Sequence, residues 1–227
     1  MPRGKQSRGQ CAFCGYETTK GSMTRHLATC PQRQAQMASA ASTKRKPETL
    51  YYLRMQDAWG GKFWIDLEVR GSATLQDIDA YLRAIWLECC GHLSQFSVGG
   101  WQGEEIAKQR RVDGVFRGEL ELTHIYDFGT SSETRIKAMA QRAGPPLTTR
   151  PMVLMARNLM PEVVCVECGQ PATRLCMECL IEADEPGTLC EKHASSHEHE
   201  DYGEPIDLVN SPRVGMCGYT GPADPPY

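Results

Sequence analysis

The residues with the clearest chemical potential are cysteines and histidines that recur in close pairs near the C-terminus. They are Cys165 and Cys168, Cys176 and Cys179, Cys190 and His193, and then His197 and His199. A Cys-x2-Cys turn supplies two metal ligands with little loss of chain entropy, and a structural zinc ion binds four such ligands tetrahedrally. Four pairs of ligands therefore predict two structural zinc ions in this segment.

Two partitions of these ligands are open. The order of the pairs resembles B-box-type zinc modules, although the gap before Cys190 is longer here. That resemblance implies two interleaved sites, one of Cys165, Cys168, Cys190 and His193 and one of Cys176, Cys179, His197 and His199. A sequential arrangement would instead place the first four cysteines on one ion. The second ion would then take Cys190, His193 and His197, completed by His199 or Cys217.

A third set of ligands lies near the N-terminus, where Cys11, Cys14, His26 and Cys30 have nearly the spacing of a Cys2His2 finger. A helix starting near Ser22 would bring His26 and Cys30 to one face, because they are four residues apart. The total prediction is three zinc ions per chain. If the finger docked on DNA as such fingers do, the base-reading positions would be Thr19, Ser22 and Arg25.

Charge is distributed unevenly along the chain. Residues 1–47 carry nine Lys or Arg and one Glu, whereas residues 160–227 carry three basic and thirteen acidic side chains. The basic arm ends in Lys44, Arg45 and Lys46, and we expect it to bind nucleic acid. Deleting residues 1–47 should abolish this binding and leave the rest folded. The acidic end would meet a protein partner or pack on its own core.

Residues 50–140 have the apolar content to build a core. Strands are predicted at Tyr51–Gln56 and Lys62–Arg70, and in the second one Ile65, Leu67 and Val69 alternate with polar residues and Trp64. A capped helix should follow from Thr74, and then strands at 92–98, 120–127 and 133–139. This order predicts an α+β fold with a central helix on a mixed sheet, flanked by two small zinc-stabilised modules.

The central segment resembles the plasmid pRiA4b ORF-3-like family. The resemblance covers residues 49–140 and rests on a Thr-Leu-x-x-Ile helix, on His92-Leu-Ser-Gln-Phe96 and chiefly on Tyr126-Asp-Phe-Gly129. It implies a fold more than a function, and some members carry a resolvase label. Many members continue the signature with Gly-Asp-x-Trp, whereas Thr130, Ser131 and Ser132 follow here. We expect Asp127 to cap a turn through its own backbone rather than to act in catalysis.

The predicted domains are a finger at 1–30, a basic flexible linker at 31–49, the central domain at 50–140, a linker with a short strand at 141–160 and a two-zinc module at 161–227. Cys89 and Cys90 are expected in the core, since adjacent cysteines fit poorly with His92 on one zinc ion. The tail at 210–221 could pack over a metal site or present Arg213 and Cys217 to a partner, and its glycines favour packing.

The function class follows from what the sequence contains and lacks. The Cys-rich sites can close to four ligands, whereas catalytic zinc keeps an open position. No nucleophile elbow, phosphate loop or His-Glu-x-x-His helix occurs. We therefore expect a non-enzymatic nucleic-acid-binding or adaptor protein, connected through the resemblance with mobile elements. A protein scaffold and a recombinase-associated enzyme are the alternatives. The polar N-terminus and the absence of an apolar span favour a cytoplasmic location.

Overall fold

An antiparallel sheet of nine strands organises most of the chain. The computed structural model describes residues 7–118, 120–198 and 201–227. The strands of this sheet are β1 (Arg8–Cys11), β2 (Glu17–Thr19), β3 (Glu48–Asp57), β4 (Trp64–Arg70), β5 (Ser94–Val98), β6 (Glu104–Ile106), β7 (Glu121–Tyr126), β8 (Ser132–Gly144) and β9 (Met152–Asn158). Their order across the sheet is β2-β1-β9-β4-β3-β8-β7-β5-β6.

All neighbouring strands in this sheet are antiparallel, so the α+β class is confirmed and the predicted mixed sheet is wrong. Four of the eight neighbouring pairs join strands that are consecutive in the chain, and such connections give antiparallel pairs. Long helical connections join β2 to β3 and β4 to β5, and neither of these pairs is adjacent in the sheet. A helix between strands therefore did not create a parallel pair.

One face of the sheet packs against a helix, as predicted. Helix α3 (Leu75–Leu82) continues into a π-helical turn (Arg83–Leu87). Thr74 and Asp77 form a capping box at its start, in which each side chain accepts a hydrogen bond from the other's backbone N–H. Its apolar side is fully buried against the strands, and it comprises Leu75, Ile78, Leu82, Ile85 and Trp86.

The opposite face of the sheet is also covered. Helix α1 (Lys20–Thr29) buries Met23 and Leu27 against Tyr52, Trp64 and the strand β9. Helix α2 (Pro31–Ala41) follows it, and Arg33 of α2 donates to the Glu68 carboxylate at 3.1 Å. The polar face of β4 is therefore an interior surface, in which Trp64, Asp66 and Glu68 are buried.

The predicted segment boundaries change in three places. Residues 31–49 are not a flexible linker, because the helix α2 fills most of this range. Pro31 suits the first helical position, and the Ala and Gln residues that follow favour helix. The boundary at residue 140 falls inside β8, and the short strand expected between 141 and 160 is β9, paired with β4. The finger is joined to the same sheet, since β1 pairs with β9.

The C-terminal part forms a second, smaller sheet. Its strands β10 (Arg174–Leu175), β11 (Thr188–Leu189) and β12 (Ile206–Asp207) run in the order β11-β10-β12. Short helices α5 (Met177–Ile181) and α6 (Glu191–Ala194) follow two of the cysteine positions, and α4 (Val112–Val115) lies in the central part. None of the helices in the described ranges is both long and apolar enough to cross a membrane.

Candidate metal centres

The N-terminal ligands converge at the join between finger and sheet. Cys11 ends β1, Cys14 follows in the turn, His26 lies on α1 and Cys30 caps the end of α1. Their ligand atoms all lie within 4.8 Å of one another. The Cys11 and Cys30 sulfurs are 4.0 Å apart, and Cys14 Sγ lies 3.3 Å from His26 Nε2.

These separations suit a tetrahedral metal ion. Zinc bonds of about 2.3 Å to sulfur and about 2.0 Å to nitrogen place neighbouring donor atoms roughly 3.5–3.8 Å apart. Burial raises the pKa of the Cys11 thiol to about 11, so a bound cation is what would hold it as a thiolate at neutral pH. The cluster can therefore hold a metal ion, and its donor set of three thiols and one imidazole fits zinc.

A second cluster contains Cys165, Cys168, Cys190 and His193. Cys165 Sγ lies 3.3 Å from His193 Nδ1, and the Cys168 and Cys190 sulfurs are 3.9 Å apart. Burial opposes ionisation of Cys165, but hydrogen bonds from the Cys190 backbone and from His193 outweigh it and lower its pKa to about 6. A thiolate is therefore favoured at this corner of the site.

The third cluster brings together Cys176, Cys179 and His197, and Cys179 Sγ is 3.3 Å from His197 Nε2. Burial raises the pKa of Cys179 to about 11. His199, the fourth predicted ligand, lies outside the described residues. The second and third clusters together have the interleaved partition rather than the sequential one, because Cys190 and His193 join the first cysteine pair.

Three cysteines remain, and they meet at a site that the sequence did not predict. Cys89 and Cys90 follow the π-helical turn, and Cys217 belongs to the C-terminal tail. Cys89 is half-buried and packs against the main core, whereas Cys90 is exposed, so the prediction that both lie in the core is wrong for Cys90. Cys217 lies 3.8 Å from His92 Nε2, so it is a neighbour of His92 rather than of the third cluster.

Arg213 anchors the tail beside these cysteines. Its guanidinium is fully buried and donates to Asp127 Oδ2 at 2.6 Å, to the Thr130 carbonyl at 2.9 Å and to Ser132 Oγ at 3.0 Å. Asp127 Oδ1 also accepts from the Gly129 backbone N–H at 2.9 Å, which is the predicted turn cap. The tail thus packs on the Tyr-Asp-Phe-Gly signature, and Arg213 is not presented to a partner.

Tyr126, the first residue of the signature, joins this site to the core. Its ring lies between the guanidinium groups of Arg83 and Arg213, at 4.7 and 4.8 Å from their carbon atoms. Its hydroxyl donates to Glu88 Oε1 at 2.9 Å. The signature therefore holds the tail, the end of α3 and the sheet together.

The sequence analysis does not predict the charged network inside the core. Asp79 accepts hydrogen bonds from Ser94 Oγ at 2.6 Å, His124 Nε2 at 2.7 Å and Arg83 Nε at 3.0 Å. Burial opposes ionisation of Asp79, but His124 and Ser94 outweigh it and hold its pKa well below the usual range. Burial lowers the pKa of His124, which keeps the imidazole neutral.

The predicted nucleic-acid residues occupy two surface regions. Thr19 is the N-cap of α1 and accepts from the Ser22 backbone N–H at 3.3 Å, whereas Arg25 is exposed. Ser22 and Arg25 line a shallow depression of about 620 Å³ together with Tyr16 and His26. The other four predicted residues, Thr19, Lys44, Arg45 and Lys46, are not among the residues that line this depression.

The basic segment 44–46 lies at the far end of α2. Lys44 and Lys46 are exposed, but Arg45 is held by the protein, since it donates to the carbonyls of Pro146 and Leu147 at 3.0 and 2.7 Å. Lys46 and Arg45 line a second depression of about 430 Å³. Only the two lysines are therefore free to meet a ligand without loss of these contacts.

Comparisons with known proteins add little. A scan against protein-family models gives no match, and a search of curated proteins gives no match either. Among solved structures, the chain is similar to a protein of unknown function, MM3350 from Methanosarcina mazei Go1. The identity is 15%, the TM-score is 0.39, and the match covers 48% of this chain and 67% of that chain. At this TM-score the likeness supports no conclusion about function.

Proposed function

We propose that this protein binds three structural zinc ions and contacts nucleic acid through its N-terminal finger, without catalysing a reaction. The single observation behind this proposal is the orientation of α1. Met23 and Leu27 pack against the sheet, so Ser22 and Arg25 are left on the outward side of the helix. Fingers of this kind use the outward side of the helix near its start to contact bases.

The finger's immediate surroundings support the same proposal. Tyr16 is 54% exposed, and its ring lies 4.7 Å from that of His26 at the edge of the depression that Arg25 lines. An exposed aromatic ring beside an exposed cation suits stacking on a base and contact with a phosphate. Arg25 would make the specific contact, and Tyr16 would widen the surface available to the base.

The two free lysines would extend the contact along the phosphate backbone. Helix α2 has 11 residues, and at about 1.5 Å per residue it separates the finger from Lys44 by roughly 16 Å. That distance corresponds to about five base pairs of duplex at 3.4 Å each. Lys44 and Lys46 would then contribute affinity that depends on salt but not on sequence.

Fluorescence anisotropy of a labelled duplex and of a labelled single-stranded RNA, titrated across salt concentrations, tests the proposal. Replacing Arg25 with Ala should weaken binding about tenfold, and the double variant K44A/K46A should lower the salt slope by about two. K192A is the matched control, because Lys192 is an exposed lysine on the acidic module. Equal losses in all three variants, or no binding at low salt, would contradict the proposal.

Point variants are better tests than deletion of residues 1–47, because the deletion would also disturb the central fold. Removing this segment would uncover Trp64 and Tyr52 and would leave β9 without its neighbour β1. A loss of binding by that deletion could then reflect misfolding of the central sheet. Arg25, by contrast, contributes nothing to the core beneath α1.

A protein scaffold is the second candidate, and exposed apolar side chains on the acidic module favour it. Val164, Val166, Leu180 and Ile181 are between 38% and 57% exposed, and all four lie next to or near metal-ligand cysteines. Such residues flanking closed metal sites suit a protein contact. If no nucleic acid binds at low salt, this scaffold function takes the place of the first proposal.

A further inference from the structure

All eleven cysteines of the chain lie in clusters of potential metal ligands. Three belong to the finger and five to the C-terminal module, and the remaining three are Cys89, Cys90 and Cys217. These last three have no part in the three proposed zinc sites. They form two overlapping groups, Cys89 with Cys90 and His92, and Cys217 with His92 and Asp127. Within each group the ligand atoms lie within 4.8 Å of one another, and His92 belongs to both.

The backbone on both sides of this cluster is held in place. Arg83 donates to the His92 carbonyl at 2.6 Å, and the Gly91 backbone N–H donates to the Glu88 carboxylate. On the tail side, Ser211 Oγ donates to the Trp86 carbonyl at 2.6 Å. The segments that carry Cys89 to His92 and Cys217 are therefore fixed before any ligand binds, which lowers the entropy that binding must overcome.

Arg213 provides charged hydrogen-bond donors to two of the cysteine sulfurs. Arg213 directs Nε toward Cys89 Sγ at 3.3 Å and Nη2 toward Cys217 Sγ at 3.4 Å. A neutral thiol is a weak acceptor, whereas a thiolate accepts such charged N–H groups well. Three thiolates and one imidazole around a divalent ion carry one net negative charge. The Arg213 N–H groups that face two of the sulfurs would stabilise this charge by hydrogen bonding, while the guanidinium itself is ion-paired with Asp127. Asp127 pairs with Arg213 and thereby positions it.

We propose that Cys89, Cys90, His92 and Cys217 bind a fourth divalent metal ion, with zinc as the expected metal. Thiolate and imidazole donors select zinc among the common cellular divalent ions. The ion fastens the C-terminal tail to the end of α3 and to the signature at Asp127. Arg213 lies outside the ligand set as a donor to two of the sulfurs, and Cys217 completes a site that the central segment alone cannot close.

Metal analysis of full-length protein purified under reducing conditions tests this site. The wild type should hold one more equivalent of zinc than C217S or C90S, whatever the occupancy of the other clusters. C217H should regain that equivalent, because His is also a zinc ligand and tolerates the left-handed backbone of Cys217 at φ 51°. Equal zinc content in the wild type and both serine variants would overturn the proposal.

Alkylation supplies a second readout that does not depend on total metal content. Cys90 and Cys217 are exposed, so free thiols there would react with iodoacetamide in the folded protein. We expect protection until a chelator is added, with sites assigned by peptide mass spectrometry. Immediate alkylation of both residues, or a disulfide among these three cysteines in reduced protein, would also overturn the proposal. Circular dichroism of each variant confirms that the comparison is made between folded proteins.

Discussion

The two ends of the chain use the same ligand chemistry in different structural settings. The N-terminal cluster lies against the central sheet, and its Cys11 and Cys30 share an apolar cluster with Trp64 and Met155. The C-terminal clusters have a sheet of their own, and their apolar cluster contains Cys165, Cys176, Cys179 and Leu189. One candidate metal site is part of the apolar cluster on the second face of the central sheet, whereas the other two form a small core themselves.

The finger packs closely against the central sheet. A Cβ atom on Gly9 would lie 2.4 Å from both the Arg157 carbonyl and the Trp64 ring, so only glycine fits between β9 and the indole. A metal ion bound by the finger should therefore stabilise the central fold. Metal ions bound by the C-terminal clusters should stabilise their local loops.

The largest expected difference in the free energy of unfolding comes from replacing one ligand cysteine in each region. C30S should destabilise the central region by more than about 3 kcal/mol, because loss of a structural metal removes the finger's packing on Trp64. C176S, at a cysteine equally buried, should change the same transition by less than about 1 kcal/mol. Tryptophan fluorescence during urea unfolding separates the two, because all four tryptophans lie between residues 59 and 101. Equal shifts would show that the two ends do not differ in this way.

The apolar face of α1 gives the next largest effect. L27A should cost about 3 kcal/mol, since it opens a cavity between α1 and the sheet. L180A, at an exposed position of α5, should stay within about 0.5 kcal/mol. Urea midpoints by tryptophan fluorescence provide the measurement, and a small effect of L27A would argue that the finger packs loosely.

The pH dependence of stability should reveal a contribution from the central core that is distinct from those of the metal clusters. Below about pH 6.5 the unfolded chain protonates His124, but burial lowers the pKa of this residue in the folded state and keeps it neutral. The unfolded state then binds more protons, so stability falls as the pH falls, by up to about 1.4 kcal/mol per pH unit. H124Q should lack this component. Any loss of metal in acid affects the wild type and H124Q alike. The difference between their free energies of unfolding from pH 7.5 to 5.5 therefore gives the contribution of His124. Parallel curves would argue against a neutral buried imidazole.

The smallest effect tests how α1 begins. T19A should cost about 1 kcal/mol through loss of the N-cap hydrogen bond to Ser22, and T19S should cost little because Ser caps equally well. Thermal unfolding followed by tryptophan fluorescence is sufficient. A loss of nucleic-acid affinity without a loss of stability would instead support the base-contacting role predicted for Thr19.

The sequence alone was sufficient for features set by neighbouring residues. A Cys-x2-Cys turn, the four-residue spacing of His26 and Cys30 and the capping box at Thr74 each depend on local backbone geometry, and the structure forms all three. The sequence does not predict helix α2, because its Gln-, Ala- and Ser-rich composition is also typical of linkers. Pro31 and the Ala residues nevertheless favour helix. Local spacing brings ligands together but does not say what the assembled site packs against.

Only the tertiary structure decided the contacts between distant residues. The burial of the polar face of β4 depends on a finger that lies more than thirty residues earlier in the chain. The site of His92, Asp127 and Cys217 needs the tail to return across the sheet. Side-chain alternation reports which residues share a face, but not whether a distant segment covers that face. The sequence thus determined the closely spaced ligand pairs and six strands of the large sheet, and long-range packing determined how the ligands combine and which regions share a core.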